Sequence, residues 1–134
     1  ISPWSFDLVK IAERRRANAM TWWELIRDLA GEIDPLRTGL MEGEVPQTFP
    51  VLVRRRSRDQ IYREMNRQGV GVVSLYHTLV DAIPADEFPE SYSVAHQILN
   101  LPVHQDIYPE MLERAADMLR RLVDTQARES DWVK

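Results

Sequence analysis

A chain of 134 residues with 44% hydrophobic and 28% charged residues has the make-up of one ordinary globular domain and lies far from disorder. It contains no cysteine, which excludes a disulfide framework and a cysteine-ligated metal centre and fits a reducing compartment. A net charge of −4 argues against a phosphate-backbone partner, the apolar runs are too short to span a bilayer, and Ile1-Ser2-Pro3-Trp4 has no apolar leader region. The expected localisation is cytoplasmic, with neither nucleic acid nor membrane as partner.

The first element expected is a long helix, over residues 1–31. Ser2 can cap it and Pro3 suits its first turn, where a missing N–H is harmless. Leu8, Ile11, Arg15, Ala19, Trp22, Ile26 and Leu29 recur at helical steps, and Gly31 is a natural stop. A helix of that length in so small a domain is built to connect or brace. Trp22 and Trp23 cannot share one helix face, so one is expected in the core and the other against a missing domain or partner. Residues 33–47 read as a loop, with two prolines and two glycines.

A small α/β sandwich is expected over residues 47–126. In a first strand, Phe49, Val51 and Val53 share one face, with Pro50 and Leu52 on the other. Pro50 belongs at the strand's start or on an edge, because it cannot donate to a ladder. Ser57-Arg58-Asp59-Gln60 has capping-box spacing and opens a helix buried through Ile61, Met65 and Tyr62, with Gly69 as its stop. A second strand is expected from Gly71 to Tyr76, apolar on both faces and therefore covered on both. A surface loop over Asp81–Pro89 leads to a short helix, Ser91–Leu99, that buries Val94, Ala95, Ile98 and Leu99. Leu101–His104 reads as a third strand. Pro109 opens the last helix, with a stripe of Leu112, Ala115 or Ala116, Leu119, Leu122 and Val123. The tail from Gln126 onward is expected to fray. The fold class is thus α/β, α+β-like: a two-layer sandwich of about three strands packed with helices, preceded by a long N-terminal helix and forming a single domain over 1–134. Three strands apolar on both faces need cover, and the expectation is that part of that cover belongs to a surface absent from this chain.

Few residues suggest chemistry. Fifteen of the seventeen basic residues are arginine, with runs at Arg14-Arg15-Arg16 and Arg54-Arg55-Arg56. Without interleaved aromatics or glycines, these runs read as a solvated helix face and a strand-to-helix turn. His77, His96 and His104 are the only histidines, too scattered for a metal site. His77 follows the carboxyl end of an expected strand, where sites gather in α/β folds, so it and Tyr76 are the candidate substrate-binding residues. Gly69-Val70-Gly71 follows a helix and precedes a strand, the reverse of a dinucleotide fingerprint. Asp86, Glu87 and Glu90 form an acidic cluster in a proline-flanked loop and are expected to be solvated.

Several segments together match a known pattern. Phe49-Pro50-Val51-Leu52-Val53-Arg54, a helix ending at Gln68-Gly69-Val70-Gly71, and then Tyr76 resemble the C-terminal half of DegT/StrS-type aminotransferases. That family has a "(Y/F)PVLV" strand, a helix, a "GIG" turn and a strand ending in "HYPPLH". Ala95-His96-Gln97-Ile98-Leu99-Asn100-Leu101-Pro102-Val103-His104 is similar to its "A-x-x-(V/I)-L-S-L-P-L-H" segment, and Arg14-Arg15-Arg16-Ala17-Asn18-Ala19 to its "RR-x-NA" helix. In place of "HYPPLH", which approaches substrate in the family, stand Leu75-Tyr76-His77-Thr78-Leu79-Val80, with only the tyrosine and leucine in register.

The resemblance implies the C-terminal small domain of a fold-type I enzyme. Such an enzyme uses pyridoxal phosphate to move an amino group from glutamate or glutamine to a keto-sugar on a nucleotide. It works as a homodimer with active sites at the subunit interface. A pyridoxal enzyme needs a lysine of lowered pKa, an acid at the pyridine nitrogen and a phosphate cradle. The lysines here are only Lys10 and Lys134, and the family's lysine lies in the large domain, upstream of all the matched segments. The chain is therefore expected to hold no catalytic, cofactor-binding or metal-binding residue and to be inactive alone. It would need a missing N-terminal large domain. The alternative is an autonomous ligand-binding or assembly module without catalysis.

Overall fold

The computed structural model describes residues 6–132. Helix α1 spans Leu8–Leu25, with Asp7 as its cap: the Asp7 carboxylate accepts from the Lys10 N–H at 3.0 Å. The proposed start at Ser2 and Pro3 lies outside the described residues. The stripe is buried only in its second half, at Ala19, Trp22, Ile26 and Leu29, while Leu8 is 72% exposed. A 3₁₀ turn over Arg27–Leu29 follows, so the helix runs 18 residues and does not reach Gly31.

The expected loop after it contains a strand. Strand β1, Ile33–Pro35, pairs antiparallel with β2, Thr48–Val53, which pairs antiparallel with β3, Ile98–Pro102. The sheet order is β1-β2-β3, so Pro50 lies in the central strand and not on an edge. Its carbonyl accepts from the Leu36 N–H at 3.0 Å, one residue past the end of β1. Its missing N–H falls where that ladder runs out, which is why the centre tolerates it.

Register divides the sheet's two faces. Phe49 and Val51 of β2 oppose Leu101 and Leu99 of β3, and with Val53 they enter the main core beside Trp22, Ile61, Met65 and Leu119. Helices α1, α2 and α4 supply that layer. Leu52 and Ile98 occupy the opposite face, each 6% exposed and both outside the main cluster, where α3 packs on β2. Leu52, Ile98 and Asn100 on the second face are thus covered from within the chain, while Thr48, Pro50 and Pro102 are only half-buried. Large exposed apolar groups lie elsewhere, on Phe6, Leu8 and Val9 and in the segment from Val73 to Tyr92.

Helix α2 spans Arg58–Arg67 and starts as the capping box requires, Ser57 Oγ accepting from the Gln60 N–H at 3.3 Å. The reciprocal bond comes from a distant residue: Gln126 Oε1 accepts from the Ser57 N–H at 2.7 Å. Its end is a Schellman motif, with Gly69 at φ +84° and the Val70 and Gly69 N–H groups donating to the Met65 and Asn66 carbonyls.

The expected strand Gly71–Tyr76 does not form beyond one bridge, Val73 to Asn100. Side chains intercept its ladder. Asn66 Oδ1 accepts from the Val72 N–H at 3.1 Å, and Asn100 Oδ1 from the Leu75 N–H at 3.0 Å. Helix α3 runs Pro89–Gln97, so Ile98 and Leu99, expected on it, belong instead to β3. Helix α4, Pro109–Trp132, starts at Pro109 as expected but does not fray at Gln126. That residue is buried and caps α2.

Candidate functional site

The stretch between α2 and α3 is held by one guanidinium. Arg58, in the first turn of α2, is 8% exposed. Its Nη1 donates to Ser74 Oγ at 2.7 Å and to the Ala95 and Ile98 carbonyls at 3.0 and 2.9 Å; its Nε donates to Asp59 Oδ1 at 2.6 Å. One side chain thereby ties α2, the irregular segment, the end of α3 and the start of β3 together. The same hydrogen bond holds the Asp59 carboxyl below its ordinary range, with weaker pulls from the charges on Arg58, Arg63 and His77. Sequence reasoning missed Arg58 because it sits inside a capping box and reads as an exposed helix residue. Apolar periodicity carries no signal for a buried cation.

Arg58, Asp59, Tyr62, Arg63, Val73, Ser74, Leu75 and His77 line an open groove of about 470 Å³. His77 is exposed, and its Nδ1 lies 2.6 Å from the Ser74 carbonyl. A carbonyl only accepts, so Nδ1 carries a proton; Nε2 accepts in the neutral ring and donates in the imidazolium. Tyr76 is 81% exposed and has φ +64°, the one non-glycine residue at positive φ among the described residues. It lines a separate surface groove with Leu79, Glu90, Ser91, Val94 and Ala95. The two candidate residues are neighbours in sequence but open onto different grooves. Strain of order 1–3 kcal/mol at a non-glycine left-handed residue is a mark of functional segments.

The remaining sequence candidates have structural roles. Arg14 Nη2 donates to the Ile107 carbonyl at 3.1 Å with its guanidinium 6.0 Å from the Tyr108 ring, and Arg15 Nε donates to Gln105 Oε1 at 3.0 Å. They staple the loop before α4 and are not a solvated face. Between them and the core, buried Asn18 donates to the Val103 and His104 carbonyls at 3.2 and 3.0 Å. The arginine-asparagine helix and the Leu101–His104 segment are thus two halves of one contact. In the second arginine run, Arg54 pairs with Asp34, and Arg56 with Glu32 and the Val123 carbonyl. Trp23 makes an internal contact, edge-on to Phe49 at 5.0 Å with its Nε1 donating to the Arg37 carbonyl. His96 is exposed and stacks on Tyr92, and His104 is exposed after β3. Asp86, Glu87 and Glu90 are exposed. No group of three metal-ligating side chains comes together among the described residues, and no described helix is long and apolar enough to cross a membrane.

The residues present do not fit pyridoxal phosphate. Lys10 is exposed in the first turn of α1, beside Asp7, Ile11, Arg14, Gln105, Asp106 and Tyr108. That open surface encloses no amine and has no glycine- or serine-rich loop to cradle a phosphate. Lys134 lies outside the described residues.

No curated protein matches the chain by sequence. The sugar aminotransferase assigned as Spr1654 from Streptococcus pneumoniae, in its PMP-form, superposes on 92% of this chain with a TM-score of 0.78 at 18% identity. DesV of S. venezuelae, in complex with a ketimine intermediate, matches 87% with a TM-score of 0.69 at 25% identity. Helicobacter pylori PseC, an aminotransferase involved in pseudoaminic acid biosynthesis, matches 86% with a TM-score of 0.70 at 16% identity. The chain spans 33% of each of these structures. The family model for DegT/DnrJ/EryC1/StrS aminotransferases matches residues 7–120, which is most of the sequence. The chain belongs to the DegT/DnrJ/EryC1/StrS aminotransferase family.

Proposed function

We propose that residues 1–134 are the C-terminal small domain of a pyridoxal-phosphate-dependent sugar aminotransferase, and that the full enzyme moves an amino group from glutamate or glutamine to a keto-sugar on a nucleotide. The observation that carries the reading is the family match over residues 7–120, together with coverage of one third of each matched aminotransferase. In this reading a large domain outside these residues brings the Schiff-base lysine and the phosphate cradle. The bound cofactor supplies the electron sink that lets the amino group pass between donor and acceptor. This chain's part is to position and to recognise. Residues 1–31 connect the two domains, and residues 47–126 form the sandwich. The enzyme is a cytoplasmic homodimer with its active sites at the subunit interface.

Within the sandwich, Tyr76 and His77 face the substrate. Support for that role comes from their exposure and from the left-handed backbone at Tyr76, in the segment that aligns with the family's substrate-approaching motif. The test is transamination by the full-length protein, with glutamate as donor and nucleotide-linked keto-sugars as acceptors. Turnover is expected for the whole protein and none for the 134 residues alone. His77→Ala in the full enzyme is expected to raise KM for the sugar. Full-length protein without turnover on any nucleotide-linked keto-sugar would overturn the reading.

A further inference from the structure

We propose that the groove walled by Arg58, Arg63, Ser74 and His77 is an anion pocket for a phosphoryl group of the substrate. The identity of that substrate rests on the proposed function; the pocket's chemistry belongs to this chain alone.

The argument starts from the donors left over at Arg58. A guanidinium carries five N–H groups in a rigid fork. Nε and Nη1 are spent on Asp59, Ser74, Ala95 and Ile98, and Nη2 makes no hydrogen bond among the described residues. Nη2 is not sealed in either: the one buried side-chain atom without a partner among the described residues is Glu32 Oε2. Arg58 is 8% exposed, locked through two nitrogens and lines the groove, so Nη2 is the nitrogen it has left for a ligand there. Its rotamer entropy is already spent, which is the condition for preorganised binding.

Arg63 adds a second fork from the next turn of the same helix. It is exposed and donates no hydrogen bond within the described residues, although it lines the same groove. Asp59 is the acidic residue on the groove wall, and the Arg58 Nε bond engages one of its oxygens. Two guanidinium charges against one carboxylate leave the groove net positive. Ser74 spends its hydroxyl hydrogen on the Ile98 carbonyl at 2.9 Å and His77 its Nδ1–H on the Ser74 carbonyl. The donors left on the wall are Arg58 Nη2, the Arg63 fork and the Tyr62 hydroxyl, still more than the two oxygens of a carboxylate ligand require. A phosphoryl group, with three outer oxygens and up to two charges, matches it better.

The test uses inorganic pyrophosphate as the probe, titrated into the 134-residue chain by calorimetry and followed by amide and arginine side-chain NMR. Binding of order 1 mM is expected, with the largest shifts at Arg58 Nε and the Ser74, Leu75 and His77 amides. Inorganic orthophosphate is expected to bind more weakly, and acetate at equal concentration to leave those signals in place. Arg58→Ala endangers the fold, so the exposed Arg63 carries the comparison. Arg63→Gln should weaken pyrophosphate binding about 10-fold and Arg63→Lys by no more than about 3-fold, since the charge is kept and the fork lost. Absence of saturable binding, equal binding by Arg63→Gln, or shifts centred on another surface would overturn the pocket.

In the full enzyme, Arg63→Gln should raise KM for the nucleotide-linked substrate about 10-fold with kcat retained. An unchanged KM in an enzyme that does transaminate sugar nucleotides would sink the pocket and leave the proposed function standing. Arg63-dependent pyrophosphate binding in a protein with no such turnover would sink the proposed function and leave the pocket.

Discussion

The two sides of the β3 edge are built by different rules. On one side, Phe49, Val51, Leu99 and Leu101 pack under α1, α2 and α4, and each is 3% exposed or less. On the other, residues 69–88 form no strand and expose Val73, Leu75, Tyr76 and Val80; apart from Val72, which is buried in the core, they are held by polar side chains: Arg58, Asn66 and Asn100. Apolar burial is non-directional and tolerates small errors of geometry. A segment fixed by a few hydrogen bonds is placed more sharply where they act and is free where they do not. That second kind of construction suits a surface that must meet a ligand.

Removing an anchor from each side separates the two rules. Trp22 is fully buried, lies 6.4 Å from Phe49 ring to ring, and donates its Nε1–H to the Pro102 carbonyl at 2.8 Å. Trp22→Ala should destabilise the whole chain by about 4 kcal/mol in chemical denaturation. A loss below about 1 kcal/mol would mean that the helix-covered layer is not the main source of stability. Arg58→Ala leaves the Ala95 carbonyl without its charged donor and the Ser74 hydroxyl with only its bond to the Ile98 carbonyl, with an expected loss of about 2 kcal/mol. Hydrogen exchange should rise across residues 73–80 and 95–98 and stay unchanged in α1. Uniform loosening would erase the distinction between the two regions.

A smaller effect is expected at Tyr76. Tyr76→Gly removes left-handed strain but adds backbone freedom to the unfolded chain, so stability should shift by no more than about 1 kcal/mol, while sugar KM in the full enzyme rises. A large loss of stability would show that the ring is a packing residue.

The smallest effect concerns the loop between β1 and β2. There Arg37 makes a two-pronged pair with Glu44, whose second oxygen also accepts from the Met41 N–H at 2.9 Å. The Arg37 hydrogen bond, aided by the Met41 N–H, holds the Glu44 carboxyl at about 2, below its ordinary 4.5. A lowered folded-state pKa contributes stability above pH 4.5 that fades as pH falls from there toward about 2. The Trp23 indole, bonded to the Arg37 carbonyl, is the reporter. Its NMR signal should titrate with a midpoint near pH 2 in the parent chain and stay still in Glu44→Gln. Titration of the signal near pH 4.5 in the parent would contradict the pair.

The same contrast explains what could be read from the residues alone. The helix-covered layer was legible because its apolar spacing recurs: Phe49, Val51 and Val53 at period two, Leu112, Ala115, Leu119 and Val123 at helical steps. Ser57 and Gly69 gave the ends of α2 through cap chemistry that is local. Strand β1 was hidden because three residues, Ile33-Asp34-Pro35, carry no period and look like their loop. The boundary between α3 and β3 slipped because Val94, Ala95, Ile98 and Leu99 satisfy helical spacing, whereas Ile98 and Leu99 begin an apolar run that also suits a buried strand. The strand expected at Gly71–Tyr76 failed for a tertiary reason, since Asn66 and Asn100 take its amides. The site followed suit: Tyr76 and His77 could be named from their position, but the split between their grooves and the Arg58 clamp exists only once α2, α3 and β3 meet.

The most direct test is covalent. The 134-residue chain would be incubated with pyridoxal phosphate, reduced with borohydride, digested and mapped by mass spectrometry, beside the full-length protein. The expected result is a cofactor-modified lysine in the full-length protein at a position outside these residues, with only trace, concentration-dependent labelling of Lys10 and Lys134 in the short chain. Stoichiometric modification of Lys10 in the short chain, accompanied by amino transfer, would contradict the assignment of the reactive centre to another domain.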